Sequence, residues 1–145
     1  DHGLEAWRDA SALTLESVVG LIQGVLPGML ERRWGRILNV TSIAGHMIHP
    51  FAGSAYSISK AALSALTREM ANEFAALGVR VNAVAPGEIE TDMIQPEYEA
   101  LIPRIPLDKM GSPDDVAGAI HYLCSDDARY VTGTEIWVTG GQHMV

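Results

Sequence analysis

Two short runs of branched apolar residues, RILNVTS at 36–42 and VRVNAVAP at 79–86, flank a long segment with helical spacing. Such runs read as buried strands, and a helix between two of them makes a parallel crossover. That helix is expected over 55–77, where Ala62, Leu63, Leu66, Met70, Phe74 and Leu77 line one face before Gly78. Upstream, residues 5–33 read as one long helix or two short ones, with Leu15, Val18, Val19, Ile22, Val25, Leu26, Met29 and Leu30 at three- and four-residue spacing and Pro27 as a possible bend. Downstream, Ser112-Pro113-Asp114-Asp115 starts a helix that runs to about Ser125: a capping hydroxyl, a proline in the first turn, then carboxylates at the positive end of the dipole. GTEIWVTGG at 133–141 holds a last short strand. Helices alternating with strands give an α/β fold with a parallel sheet and right-handed crossovers. Ligands of such sheets bind beyond the carboxyl ends of the strands. Ser42 and Pro86-Gly87 are therefore expected to face one crevice, with Tyr56 and Lys60 opening the intervening helix at the same edge.

The 145 residues suffice for one domain with a core, at 48% hydrophobic and 19% charged. A net charge of −8 argues against a nucleic-acid binder, which carries a basic face. No stretch is read as approaching the ~20 apolar residues of a membrane span, and no signal peptide is evident. The one cysteine, Cys124, cannot form an internal disulfide, which fits a reducing, cytoplasmic setting. The chain opens on Asp1 within a helix-like pattern, and the expectation is a piece of something longer.

The stretch YSISK places Tyr56 and Lys60 one helical turn apart, on one face. A solvated surface pair is one reading. The other is a phenol used as acid and base, since a nearby ammonium favours the phenolate. Moving a phenol from its ordinary ~10 to ~7 requires about 4 kcal/mol, more than one exposed pair supplies. A partly dehydrated pair helped by a second positive charge, such as an oxidised nicotinamide ring, could supply it. Ser42 adds a hydroxyl to hold a substrate oxygen. The trio suits proton exchange at a carbonyl or alcohol, and reduction then needs a nicotinamide cofactor.

Other features are less specific. His46 and His49 sit three apart, but no third metal ligand stands at a plausible spacing; plain loop and a place at a substrate mouth both stay open. Glu88, Glu90 and Asp92 form an acidic run that reads as loop on the cofactor side rather than as a hydrolase pair. The excursion from Asp92 to Met110 is a candidate lid, with Tyr98, Leu101, Ile102 and Ile105 either walling an apolar pocket or packing in the core.

Taken together, NVTSIAG, SAYSISKAAL, VRVNAVAPGEIETDM and YVTGTEIWVTGG resemble the second half of a short-chain dehydrogenase/reductase, most like the 3-oxoacyl-acyl-carrier-protein reductase type. The resemblance covers essentially the whole chain. It implies the C-terminal part of a Rossmann-like, doubly wound parallel sheet, about three strands with flanking helices, its first strand left with an unpaired edge. It implies NAD or NADP as cofactor, a small-molecule carbonyl/alcohol substrate, and a homo-oligomer (dimer or tetramer) with no nucleic acid and no membrane. Tyr56 would be general acid and base; Lys60 would lower its pKa and bond the nicotinamide ribose; Ser42 would orient the substrate oxygen. Pro86, Gly87 and Ile89 would lie against the nicotinamide, Thr91 would contact the carboxamide or pyrophosphate, and Asn39 and Val40 would line the cofactor cleft. Three departures stand out. The glycine-rich loop that cradles the pyrophosphate is absent. Thr14 stands where the family has a relay asparagine. One extra residue separates Ser42 from Tyr56. The alternative reading is a non-catalytic scaffold or regulatory subunit.

Overall fold

The computed structural model describes residues 3–92 and 94–145. Three parallel strands, β1 (Gly35–Val40), β2 (Val79–Pro86) and β3 (Glu135–Val138), lie side by side in that order. Gly35 pairs with Val79 and Val40 with Val84, while Ala83 pairs with Glu135 and Pro86 with Val138. β2 is central, and Val79, Val81, Ala83, Val84 and Ala85 are fully buried. Branched residues with no polar atoms fill a strand that is covered on both faces.

Side chains alternate across the strands. Ile37, Val79 and Val81 face one layer, where they cluster with Ile22, Met70 and Ala71. That layer holds α1 (Leu4–Ser11), α2 (Ser17–Glu31) and α3 (Ser54–Phe74). Arg36 and Arg80 point the other way, toward α4 (Pro113–Cys124): the Arg80 guanidinium donates to the carbonyls of Leu123 and Val131 at 3.1 Å and Ser125 at 3.2 Å. Helices on both faces of a parallel sheet are the doubly wound arrangement expected. β1 pairs with β2 and forms the sheet's edge, as anticipated.

The first helix is neither one regular helix nor two separate ones. A π turn at Ala12–Glu16 joins α1 to α2 without a break, and Pro27 sits inside α2. This segment also corrects the reading that no stretch is long and apolar enough to span a bilayer. Leu4–Glu31 passes on length and composition, its most apolar 18-residue window having mean hydropathy 1.5. Gly20, Gln23, Gly24, Pro27 and Gly28 punctuate its apolar run, which hides the average from the eye. One face of α2 packs in the sheet core through Ile22, Val18, Leu26 and Met29, while Leu13, Leu21 and Val25 are exposed. Only 6% of that window is buried, and a single such helix is weak evidence for a span.

The ends of α4 and α3 show why the sequence breaks where it does. Ser112 accepts the Asp115 N–H, and the Asp115 carboxylate accepts the Ser112 N–H at 2.7 Å, a reciprocal capping box. Those bonds hold the Asp115 carboxyl below its usual value. After α3 and a 3₁₀ turn at Ala75–Leu77, Gly78 adopts φ +88°. Its carbonyl accepts the Gly35 N–H at 3.1 Å, which pins the start of β1 to the start of β2. A Cβ on Gly78 would fall 2.0 Å from the Arg33 carbonyl oxygen. Gly78→Ala is expected to cost at least about 2 kcal/mol, from the left-handed backbone and the backbone collision together, read as a lower urea midpoint of the full-length protein with unchanged slope.

Candidate active site

β1 stops at Val40, two residues before the expected end, but pairing continues: Thr41 N donates to Val84 O at 2.9 Å. Thr41 and Ser42 then separate sharply. The Thr41 side chain is buried, with its hydroxyl 2.9 Å from Val84 O and in contact with the Glu135 carboxylate. Ser42 faces the cleft and caps a 3₁₀ turn at Ile43–Gly45, its Oγ accepting the Ala44 N–H at 3.1 Å. The hydroxyl available to a ligand is therefore that of Ser42.

Gly45 lets this turn approach α3. A Cβ there would lie 2.8 Å from Ala61 N and 2.9 Å from Lys60 C, both rigid helix backbone. The contact sets the turn bearing Ser42 beside the turn of α3 bearing Lys60. Lys60 Nζ donates to Val40 O at 2.7 Å and lies 5.6 Å from the centroid of the Tyr56 ring. Burial pushes the Lys60 ammonium below its ordinary value of 10.5. Tyr56 is 39% exposed, so its phenol is reachable from the cleft.

The cleft is a cavity of about 740 Å³ bordered by Ser42, Tyr56 and Lys60 on one side and by Pro86, Gly87, Ile89 and Thr91 on the other. The structure thus brings together at the carboxyl ends of β1 and β2 the residues expected there. Val40 also borders it. Asn39 is buried, its amide donating to Thr67 Oγ1 at 2.9 Å, and it borders an adjoining groove rather than this cavity. Thr14 lies in the π turn and borders an adjoining groove of about 590 Å³ that shares Tyr56, Lys60 and Val40 with the cleft. π turns recur at functional sites.

The segment after β2 is tied down by a two-bond bridge: Glu90 N to Gly111 O at 2.8 Å and Gly111 N to Glu88 O at 2.9 Å. In the excursion that follows, Pro96–Arg104 forms a 3₁₀ turn. Leu101 and Ile105 are core residues, so that half of the open question resolves to packing, whereas Tyr98 borders the cavity. Tyr98 packs against Phe51 at 4.8 Å and His49 at 5.9 Å. Its phenol is pushed up by burial first, then by the charges of Glu88, Tyr56 and Glu97.

Both loop histidines are anchored to carboxylates. His46 Nε2 lies 2.9 Å from Glu135 and His49 Nε2 lies 2.6 Å from Glu88. Among the described residues no group of three metal-ligating side chains occurs. The pairing of His49 with Glu88 is a feature that sequence reasoning missed. Each residue was singled out, but nothing in the spacing joined them.

A family pattern described as enoyl-(acyl carrier protein) reductase matches residues 1–143. The chain is 52% identical to Protein FixR of Bradyrhizobium diazoefficiens over 141 residues, 97% of this chain and 50% of that protein. It is 40% identical to the 3-oxoacyl-[acyl-carrier-protein] reductase FabG of Vibrio cholerae over 146 residues, 97% of this chain and 59% of that protein. The crystal structure of 3-oxoacyl-[acyl-carrier protein] reductase from Brucella melitensis superposes with TM-score 0.96 at 33% identity, covering 100% of this chain and 56% of the other. A second from the same organism, with bound NAD, gives 0.95 at 33% identity, covering 100% and 55%. The chain spans about half the length of the curated relatives it matches.

The lowered Lys60 pKa has a consequence for stability. Between its folded pKa and 10.5 the unfolded chain binds more protons at this group than the folded one, so its contribution to stability rises with pH through that window. Wild type should gain stability relative to Lys60→Met as pH climbs toward 10.5, measured by parallel denaturant titrations; parallel pH profiles would contradict the burial of the ammonium.

Proposed function

The chain belongs to the short-chain dehydrogenase/reductase family, and from that premise we propose that it forms the catalytic half of an NAD(P)-dependent oxidoreductase acting on a small carbonyl/alcohol substrate, 3-oxoacyl reductase-like. The observation that carries this reading is the meeting of Ser42, Tyr56 and Lys60 on one cavity at the strand ends. The residues there fit a nicotinamide nucleotide. The wall of Pro86, Gly87 and Ile89 offers a mostly apolar surface to a flat ring, and an ammonium with three donors, one directed at Val40 O, stands opposite. When bound, the cofactor supplies or accepts the hydride.

The chain's own residues handle the proton. In reduction the Tyr56 hydroxyl donates its proton to the substrate oxygen, and in oxidation the phenolate takes it back. The Ser42 hydroxyl donates a hydrogen bond to the same oxygen and stabilises charge that develops on it. Lys60, held by Val40, keeps a positive charge near the phenol and favours its anionic form. Thr14 in the neighbouring groove offers one hydroxyl where an amide would offer two donors and an acceptor, a shorter reach for a proton relay. Exposed Leu4, Leu13, Leu21 and Val25 along the first helix support homo-oligomer formation as part of the same reading. The unpaired thiol of Cys124 suits a reducing cytoplasm.

Full-length protein with Tyr56→Phe should lose about 10²-fold or more in kcat on a ketone panel with nicotinamide cofactor, while still binding the cofactor. Equal turnover by both forms removes the phenol from the chemistry.

A further inference from the structure

Among the described residues Glu88 is the one carboxylate bordering the main cavity, and its side chain is 3% exposed. His49 fixes it there, and the protonation of His49 follows from its partners. Nδ1 accepts the N–H groups of Phe51 at 3.3 Å and Ala52 at 3.2 Å, so it carries no proton. Nε2 then carries the ring's proton and donates it to Glu88 Oε1 at 2.6 Å. Gln142 Nε2, from the turn after β3, donates to the same oxygen at 3.3 Å. With His49 in that tautomer neither donor is a cation, so neither pairs the carboxylate with an opposite charge. The charge sits beside an apolar wall formed by Phe51, Tyr98, Ile94, Ile89, Val116 and Ile120. Its reach into the cavity is visible at Tyr98, whose phenol is pushed up by burial and next by Glu88.

Resting on the reading of the preceding section, we propose that Glu88, oriented by His49, determines specificity. The pocket takes carbonyl or alcohol substrates with an uncharged apolar or aromatic body and rejects those whose body carries a carboxylate. A substrate anion entering the cavity gives up part of its hydration and meets a like charge fixed on a nearly buried side chain, where water screens less than in bulk. Repulsion built against the wrong ligand is a common source of selectivity. The aromatic pair Phe51 and Tyr98, 4.8 Å apart, supplies the attraction for the right one.

The test uses full-length protein, nicotinamide cofactor and a matched pair of ketones, methyl 4-acetylbenzoate and 4-acetylbenzoate, which differ by one distal charge. Wild type should favour the ester by about tenfold or more in kcat/KM, and Glu88→Gln, which keeps an acceptor for His49, should raise the acid-to-ester ratio by about tenfold. An unchanged ratio overturns the proposal. If neither ketone turns over, the oxidoreductase reading fails instead, and the affinity of wild-type holoprotein for the two ketones, by saturation-transfer NMR, still decides the role of Glu88. Tighter binding of the ester supports it and equal binding overturns it, with no need for the variant to fold.

Discussion

The bond from Lys60 Nζ to Val40 O ties the helix that carries the phenol to the strand end that leads to the serine. Burial alone would make the ammonium costly at this place, and it does push the lysine toward its neutral form. A carbonyl at 2.7 Å returns part of the lost hydration, as bonds from charged donors do. With the side chain held in this way, the ammonium sits 5.6 Å from the Tyr56 ring rather than ranging through solvent. The same bond fixes where the helix begins relative to the sheet, so the cleft inherits its shape from it.

Two glycines make that bond geometrically possible. Gly45 allows the Ile43–Gly45 turn to touch the backbone of α3, and Gly78 allows the two strand starts to meet. Neither acts by flexibility in the cleft. Each removes a side chain where two backbones come closer than a Cβ permits. The register of β1 on β2, with Val40 opposite Val84, then sets Ser42 and Pro86-Gly87 at one edge. In an open parallel sheet the chemistry gathers there because both strands point their carboxyl ends the same way.

Periodicity carried the regular elements well. β2 occupies 79–86 as read, and α3 and α4 begin within one or two residues of their expected starts. The first strand ends early because Ser42 already belongs to a turn, a change of backbone that hydrophobic pattern does not record. Ser42, Tyr56 and Lys60 were legible since topology alone sends strand ends and the following helix start to one place. Asn39 was legible as a strand residue, but its amide's bond to the buried hydroxyl of Thr67 was not. The excursion after Asp92 was harder still. Leu101 and Tyr98 are three apart with similar apolar character, yet one is core and the other borders the cavity. Pairings such as His49 with Glu88 join elements far apart in sequence, and no local pattern encodes them.

The loop from Gly45 to Gly53 has no ladder to hold it, so side chains do the holding. His46 is drawn to Glu135 on β3 and lies 4.5 Å from Trp137, which stacks on His143 at 4.8 Å. His49 is drawn to Glu88 after β2. Both anchors are carboxylates set on the rigid sheet or its immediate continuation, which transmits the sheet's order to an irregular segment. Their surroundings nevertheless differ. Glu135 lies among the hydroxyls of Thr41 and Ser64, which both donate to it. Glu88 borders the cavity itself. The same histidine–carboxylate pair therefore holds the loop within a side-chain network in one case and borders the cavity in the other. What separates the two is not the chemistry of the pair but which acid borders the cavity.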